Sequence, residues 1–194
     1  MAEENVGQVV NLPRWKIIMR RLLNFPSQKN LWLVTLLAFI GMAAIFFYLR
    51  SLDAQLAPYG IVPFEFAFAP ARANEMMAAW GALGIQAAQQ SLLVDFGFMP
   101  AYALVFAGFT LLAARAAQGR WQTLGLWLAL APFAAWLFDA LENFILLATL
   151  STPSSLLALA GISAAIKFSL LGFCLLYVLG VSIIGRLSNR VVAS

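Results

Sequence analysis

Four stretches of this chain run for twenty residues or more with almost no charge, and that pattern limits what it can fold into more than any motif does. About twenty helical residues, at 1.5 Å each, cross the roughly 30 Å hydrocarbon core of a bilayer. Residues 31–50, 124–150 and 156–185 meet this requirement outright, and residues 91–115 meet it although Asp95 and Pro100 interrupt them. Only 10% of the 194 residues are charged and 63% are hydrophobic, whereas a soluble domain carries about a quarter charged residues. The expectation is an all-α, polytopic membrane protein with four transmembrane helices.

The remaining charges fit that threading. Lys and Arg near span ends are retained on the cytoplasmic side. Arg14, Lys16, Arg20, Arg21 and Lys29 precede the first span, Arg115 and Arg120 lie in or beside loop 116–123, and Arg186 and Arg190 fall in tail 186–194. The opposite side receives Arg50 and Arg72, offset by Asp53, Glu65 and Glu75. Both termini are therefore expected inside, and the bias and compactness point to a bacterial cytoplasmic (inner) membrane. Residues 1–12 carry Glu3 and Glu4 and lack a basic segment followed by a short apolar run, so they do not read as a cleaved signal peptide.

Two segments outside the spans have a pattern of their own. Within residues 1–30, Trp15, Ile18, Met19, Leu22 and Leu23 share one side of a helical wheel, and Arg14, Lys16, Arg20 and Arg21 share the other. This predicts an N-terminal interfacial amphipathic helix on anionic lipid headgroups, although Ile17 falls on the basic side. Residues 51–90 are too long for a turn. Pro58, Pro63 and Pro70 surround Phe64-Glu65-Phe66-Ala67-Phe68 and forbid one continuous helix. Residues 71–90 read as an interfacial helix or an outward extension of the second span, and the whole segment as an external cap. Glu65 is either solvated there or directed into the bundle.

Several chemistries are excluded by composition. With no histidine and one cysteine, Cys174, neither a histidine-ligated metal or haem, nor a Ser-His-Asp arrangement, nor a dithiol redox pair can be built. No glycine-rich phosphate loop is present. No cofactor or metal is expected, no nucleic acid partner, and an enzyme is the less favoured reading.

The candidate site comes from ionisable residues inside the spans, where each costs about 2.5–3.5 kcal/mol near a helix centre. Asp139, Glu142 and Asn143 share one stripe of the third span, which Trp136 and Pro132 extend. Lys167 shares its face of the fourth span with Ala160, Ser163, Ala164 and Cys174, small residues that let a neighbouring helix approach. Counted from loop 151–155, Asp139 and Lys167 lie at nearly one depth, so an Asp139–Lys167 pair is expected. Asp95, with Ser91, Met99 and Tyr102 on its side of the second span, belongs nearer the external end, at the level of Glu142 and Asn143. Pro100 predicts a kink there. Like charges and desolvation both oppose ionisation of three carboxyls around one ammonium, so either protons or a bound cation or amine should balance them.

Asp95, Asp139, Glu142, Asn143 and Lys167 are thus the ligand- or ion-binding candidates, with Glu65, Tyr102 and Trp136 as secondary ones. Three functions compete. The leading expectation is a small assembly or scaffold subunit of a membrane complex, with the cluster as internal glue and a homo-oligomer or other membrane subunits as partners. The second is a protein that binds or transports a proton, a cation or a small amphipathic ligand. The third is an intramembrane lipid- or isoprenoid-modifying enzyme using carboxyl acid–base chemistry.

Overall fold

The apolar runs appear as helices in the computed structural model, which describes residues 21–152 and 155–192. In order these are α1 (Gln28–Asp53), a 3-10 turn (Ala54–Leu56), α2 (Ile61–Glu65), α3 (Pro70–Ala116), α4 (Gly119–Leu128), α5 (Ala131–Ser151) and α6 (Leu157–Val192). There is no strand among the described residues. Four segments are long and apolar enough to cross a membrane, namely Gln28–Leu56, Pro70–Ala116, Gly119–Ser151 and Leu157–Gly185. Arg14, Lys16 and Arg20 of the amphipathic segment lie outside the described residues, as do parts of loop 151–155 and of the C-terminal tail. From that segment, Arg21 is exposed, and Leu22 and Leu23 pack against a core of Leu31, Leu111, Leu112 and Leu126.

Local chemistry sets the helix limits. Ser27 caps α1, its hydroxyl accepting from the Asn30 amide at 3.3 Å. Pro70 opens α3, a position where the missing N–H costs nothing. The third predicted span is two helices, α4 and α5. Pro132 has no N–H for the Leu128 carbonyl four residues back and its ring crowds that carbonyl. The thiol of Cys174 fills the gap, donating to Leu128 O at 3.4 Å. Of the two readings open for residues 71–90, the structure has the outward extension of the second span, one helical run from Pro70 to Ala116. Its break falls at Gly81 (φ 61°, ψ −170°), while no residue around Pro100 leaves helical dihedrals.

Packing is uneven across the bundle. α1 lies along α3, α5 lies against both α3 and α6, and α1 makes no comparable contact with α6. The α1–α3 approach is close because Gly108 faces Thr35, where any Cβ would collide with the threonine side chain. At the other end, the capping segment, residues 57–69, shares a core with α3, α5 and α6 that includes Leu56, Phe64, Met76, Trp80, Leu92 and Leu146. Trp80 Nε1 donates to Leu56 O at 2.8 Å, and the Phe64 and Trp80 rings meet with centroids 5.1 Å apart.

Candidate functional site

The capping segment reaches into the bundle instead of lying flat on it. Its residues divide by position: Phe64 enters the core under Trp80, Glu65 turns to Lys167, and Phe66 stacks on Phe168 with centroids 6.0 Å apart. Phe68, at a left-handed φ of 54°, lies against Gly161, where a Cβ would strike its ring. Lys167 is ten residues into α6, so Glu65 meets it about 15 Å along that helix. Of the two readings open for Glu65, the structure takes the inward one.

Lys167 Nζ lies 2.7 Å from Asp139 Oδ1, 2.9 Å from Glu142 Oε2 and 3.3 Å from Glu65 Oε2. The depth match therefore holds for Asp139 and Lys167, and the ammonium is also shared with two further carboxyls. Asp139, Glu142 and Lys167 are only 2%, 0% and 5% exposed. Asp139 Oδ2 accepts from the Tyr102 hydroxyl at 2.7 Å. Asn143 Nδ2 donates to Asp95 Oδ2 at 2.8 Å and to Leu92 O at 3.2 Å, which puts Asp95 at the level of Asn143. The small face opposite them is buried as its composition requires: Ala160, Ser163, Ala164 and Cys174 are all within 1% of full burial.

Charge is not balanced in this cluster by the ammonium alone. Neither Glu142 oxygen has a hydrogen-bond partner among the described residues, although Oε2 lies within ion-pair distance of Lys167. Burial holds the Glu65 carboxyl above the usual carboxylate range, with the Lys167 ammonium opposing that shift.

A cavity of about 400 Å³ opens onto this cluster. Glu65, Asp95, Tyr102, Asp139 and Lys167 form its polar floor. Met42, Phe46 and Leu49 of α1 face Phe168 and Leu171 of α6 across it, with Phe98 and Phe106 of α3 behind. The cavity thus occupies the space where α1 and α6 fail to pack. Glu142 and Asn143 lie behind the floor, and Trp136 packs against Met99, Tyr102 and Ala103 instead of lining it.

Arg50 and Asp53 at the rim were read from sequence as loop charges alone. Asp53 Oδ1 accepts the Ile61 amide at 2.7 Å, capping α2, and Oδ2 pairs with Arg50 at 3.2 Å. The signal for this was local: Gly60, at φ 86°, places Ile61 N–H next to that carboxylate. Comparison with protein-family models, curated proteins and solved structures finds no match.

Proposed function

We propose that the chain is a multi-pass protein of a bacterial cytoplasmic membrane, with both termini inside, that binds a small amphipathic molecule. The polar end of the ligand rests on the carboxyl cluster and its apolar part lies between the first and fourth spans. One observation carries this reading: a single cavity joins a buried, hydrogen-bonded polar floor to walls of Phe, Leu and Met, the composition that small-molecule sites favour. Because α1 does not close against α6, a ligand dissolved in the bilayer has a lateral route to the floor. Internal glue alone would call for a closed cluster, since buried charges are costly unless fully paired.

Native mass spectrometry of the protein extracted gently from its host membrane tests this. The expected result is one reproducible small-molecule adduct that disappears in Asp139→Asn or Lys167→Met while the protein stays folded. A stoichiometric second polypeptide with no adduct would overturn the binding reading and favour an assembly subunit.

A further inference from the structure

The binding reading leaves open what kind of head group the cavity takes, and the hydrogen-bond donors at its floor decide this. Lys167 donates to Asp139 and Glu65 and stands 2.9 Å from Glu142 Oε2 as an ion pair, so its ammonium is ringed by three carboxyls. The Tyr102 hydroxyl is engaged by Asp139. Asn143 uses both amide hydrogens, on Asp95 and on the Leu92 carbonyl. At the rim Arg50 is paired with Asp53, whose other oxygen holds the Ile61 amide.

The donors of the buried floor, on Tyr102, Asn143 and Lys167, thus face acceptors within the protein, and the guanidinium N–H groups that Asp53 leaves free belong to Arg50 at the exposed rim. Asp95 lines the cavity, and its Oδ1 accepts no hydrogen bond among the described residues. The acidic groups facing the cavity, Asp53, Glu65, Asp95 and Asp139, outnumber the basic ones, Arg50 and Lys167. Behind them Glu142 is fully buried with neither oxygen hydrogen-bonded among the described residues. The walls carry four phenylalanine rings, Phe46, Phe98, Phe106 and Phe168, whose faces attract a cation; Lys167 Nζ already stands 4.8 Å from the Phe168 centroid. A carboxylate, sulfate or phosphate head on this floor would bring more acceptors to carboxyls already short of donors, since the free N–H groups of Arg50 stand at the exposed rim.

We infer that the ligand is an amphipathic amine, bound as its ammonium, which donates to Asp95 beside Glu65 and Asp139 and lays its hydrocarbon between α1 and α6. This rests on the binding reading, and head-group discrimination separates the two. Octylammonium, octanol and octanoate share one tail and differ in charge and donors. Each is titrated calorimetrically into the full-length protein in nanodiscs of zwitterionic lipid at neutral pH, where an alkylamine is protonated.

Octylammonium is expected to bind saturably, one per chain, at least about tenfold more tightly than the other two, the worth of one charge-assisted hydrogen bond. Asp95→Asn, which can still accept from Asn143 through its amide oxygen, should remove that preference. Octanoate or octanol binding saturably at equal or higher affinity would overturn the amine assignment and leave the binding reading standing. Equal, non-saturating uptake of all three, unchanged in Asp95→Asn, would remove both.

Discussion

Three carboxyl oxygens within 3.3 Å of one buried ammonium make the members of this cluster unequal. Lys167→Met leaves Asp139, Glu142 and Glu65 without a cation and should cost about 3–5 kcal/mol, as removing one partner of a buried ion pair does. Asp139→Asn leaves the ammonium on two carboxyls and weakens one bond to Tyr102, so about 1–3 kcal/mol is expected. Thermal unfolding in detergent should rank the two in that order. For an isolated Asp139–Lys167 pair, the double variant carrying Asn and Met would be milder than either single one. Here Glu142 and Glu65 would remain unpaired, so the double variant should be no more stable than Asp139→Asn. Glu65 adds a pH dependence of defined sign. A carboxyl held above its unfolded value contributes stability at low pH and loses it as pH rises through the raised value, so Glu65→Gln should flatten the melting profile above the ordinary carboxylate range. A profile as steep as that of the unmodified protein would show that Glu65 does not titrate there. The Asp139–Lys167 pair was legible because helical rise converts residue counts into depth. The share taken by Glu65 was not, because its segment has no periodicity from which to count.

Between elements, two glycines set distances that hydropathy does not record. Gly108 lets α1 approach α3 until Thr35 occupies the space of its missing side chain, and Gly161 does the same for Phe68 of the capping segment. Gly108→Ala should cost about 1–3 kcal/mol by overpacking, and Thr35→Ala in the same chain should restore most of it, since it removes the two atoms that crowd the new methyl besides Cβ. Thermal melts of the two single variants and the double variant check this; independent, additive losses would count against the contact. Because Met42, Phe46 and Leu49 follow Thr35 on the same helix and wall the cavity, Gly108→Ala should also weaken ligand retention without touching the floor. The four long apolar runs were readable from composition. The breaks were less so: a kink was expected at Pro100 and a continuous helix over residues 124–150, whereas the departures lie at Gly81 and between Leu128 and Ala131. A proline removes one donor wherever it stands, but whether the helix parts depends on what receives the orphaned carbonyl. At Leu128 that partner is Cys174, forty-six residues away in sequence.

At the scale of the whole molecule, the two ends of the bundle differ in how their basic residues are satisfied. Arg50 pairs with Asp53 at 3.2 Å, and Arg72 pairs with Glu75 at 2.6 Å and covers the Tyr59 ring, so this end retains little net charge. Arg115 at the opposite end binds the Leu22 carbonyl through Nε and Nη2 and lies 3.5 Å from the Gln28 amide oxygen, all neutral groups that leave its charge intact. Uncompensated Lys and Arg mark the cytoplasmic side, so the capped end should face outward. Labelling with a membrane-impermeant maleimide tests this in a Cys174→Ser background, although Cys174 is itself buried. Ala57 and Gln118 are exposed at opposite ends, one in the capping segment and the other between α3 and α4. Ala57→Cys should react in intact spheroplasts and Gln118→Cys only after permeabilisation. The reverse pattern would invert the orientation and place the polar floor in the inner half of the bilayer. Labelling of both from one side would contradict four spans, because three or five crossings would be needed to carry the chain back. With the capped end outward, an amine entering between α1 and α6 would meet the floor from the outer leaflet.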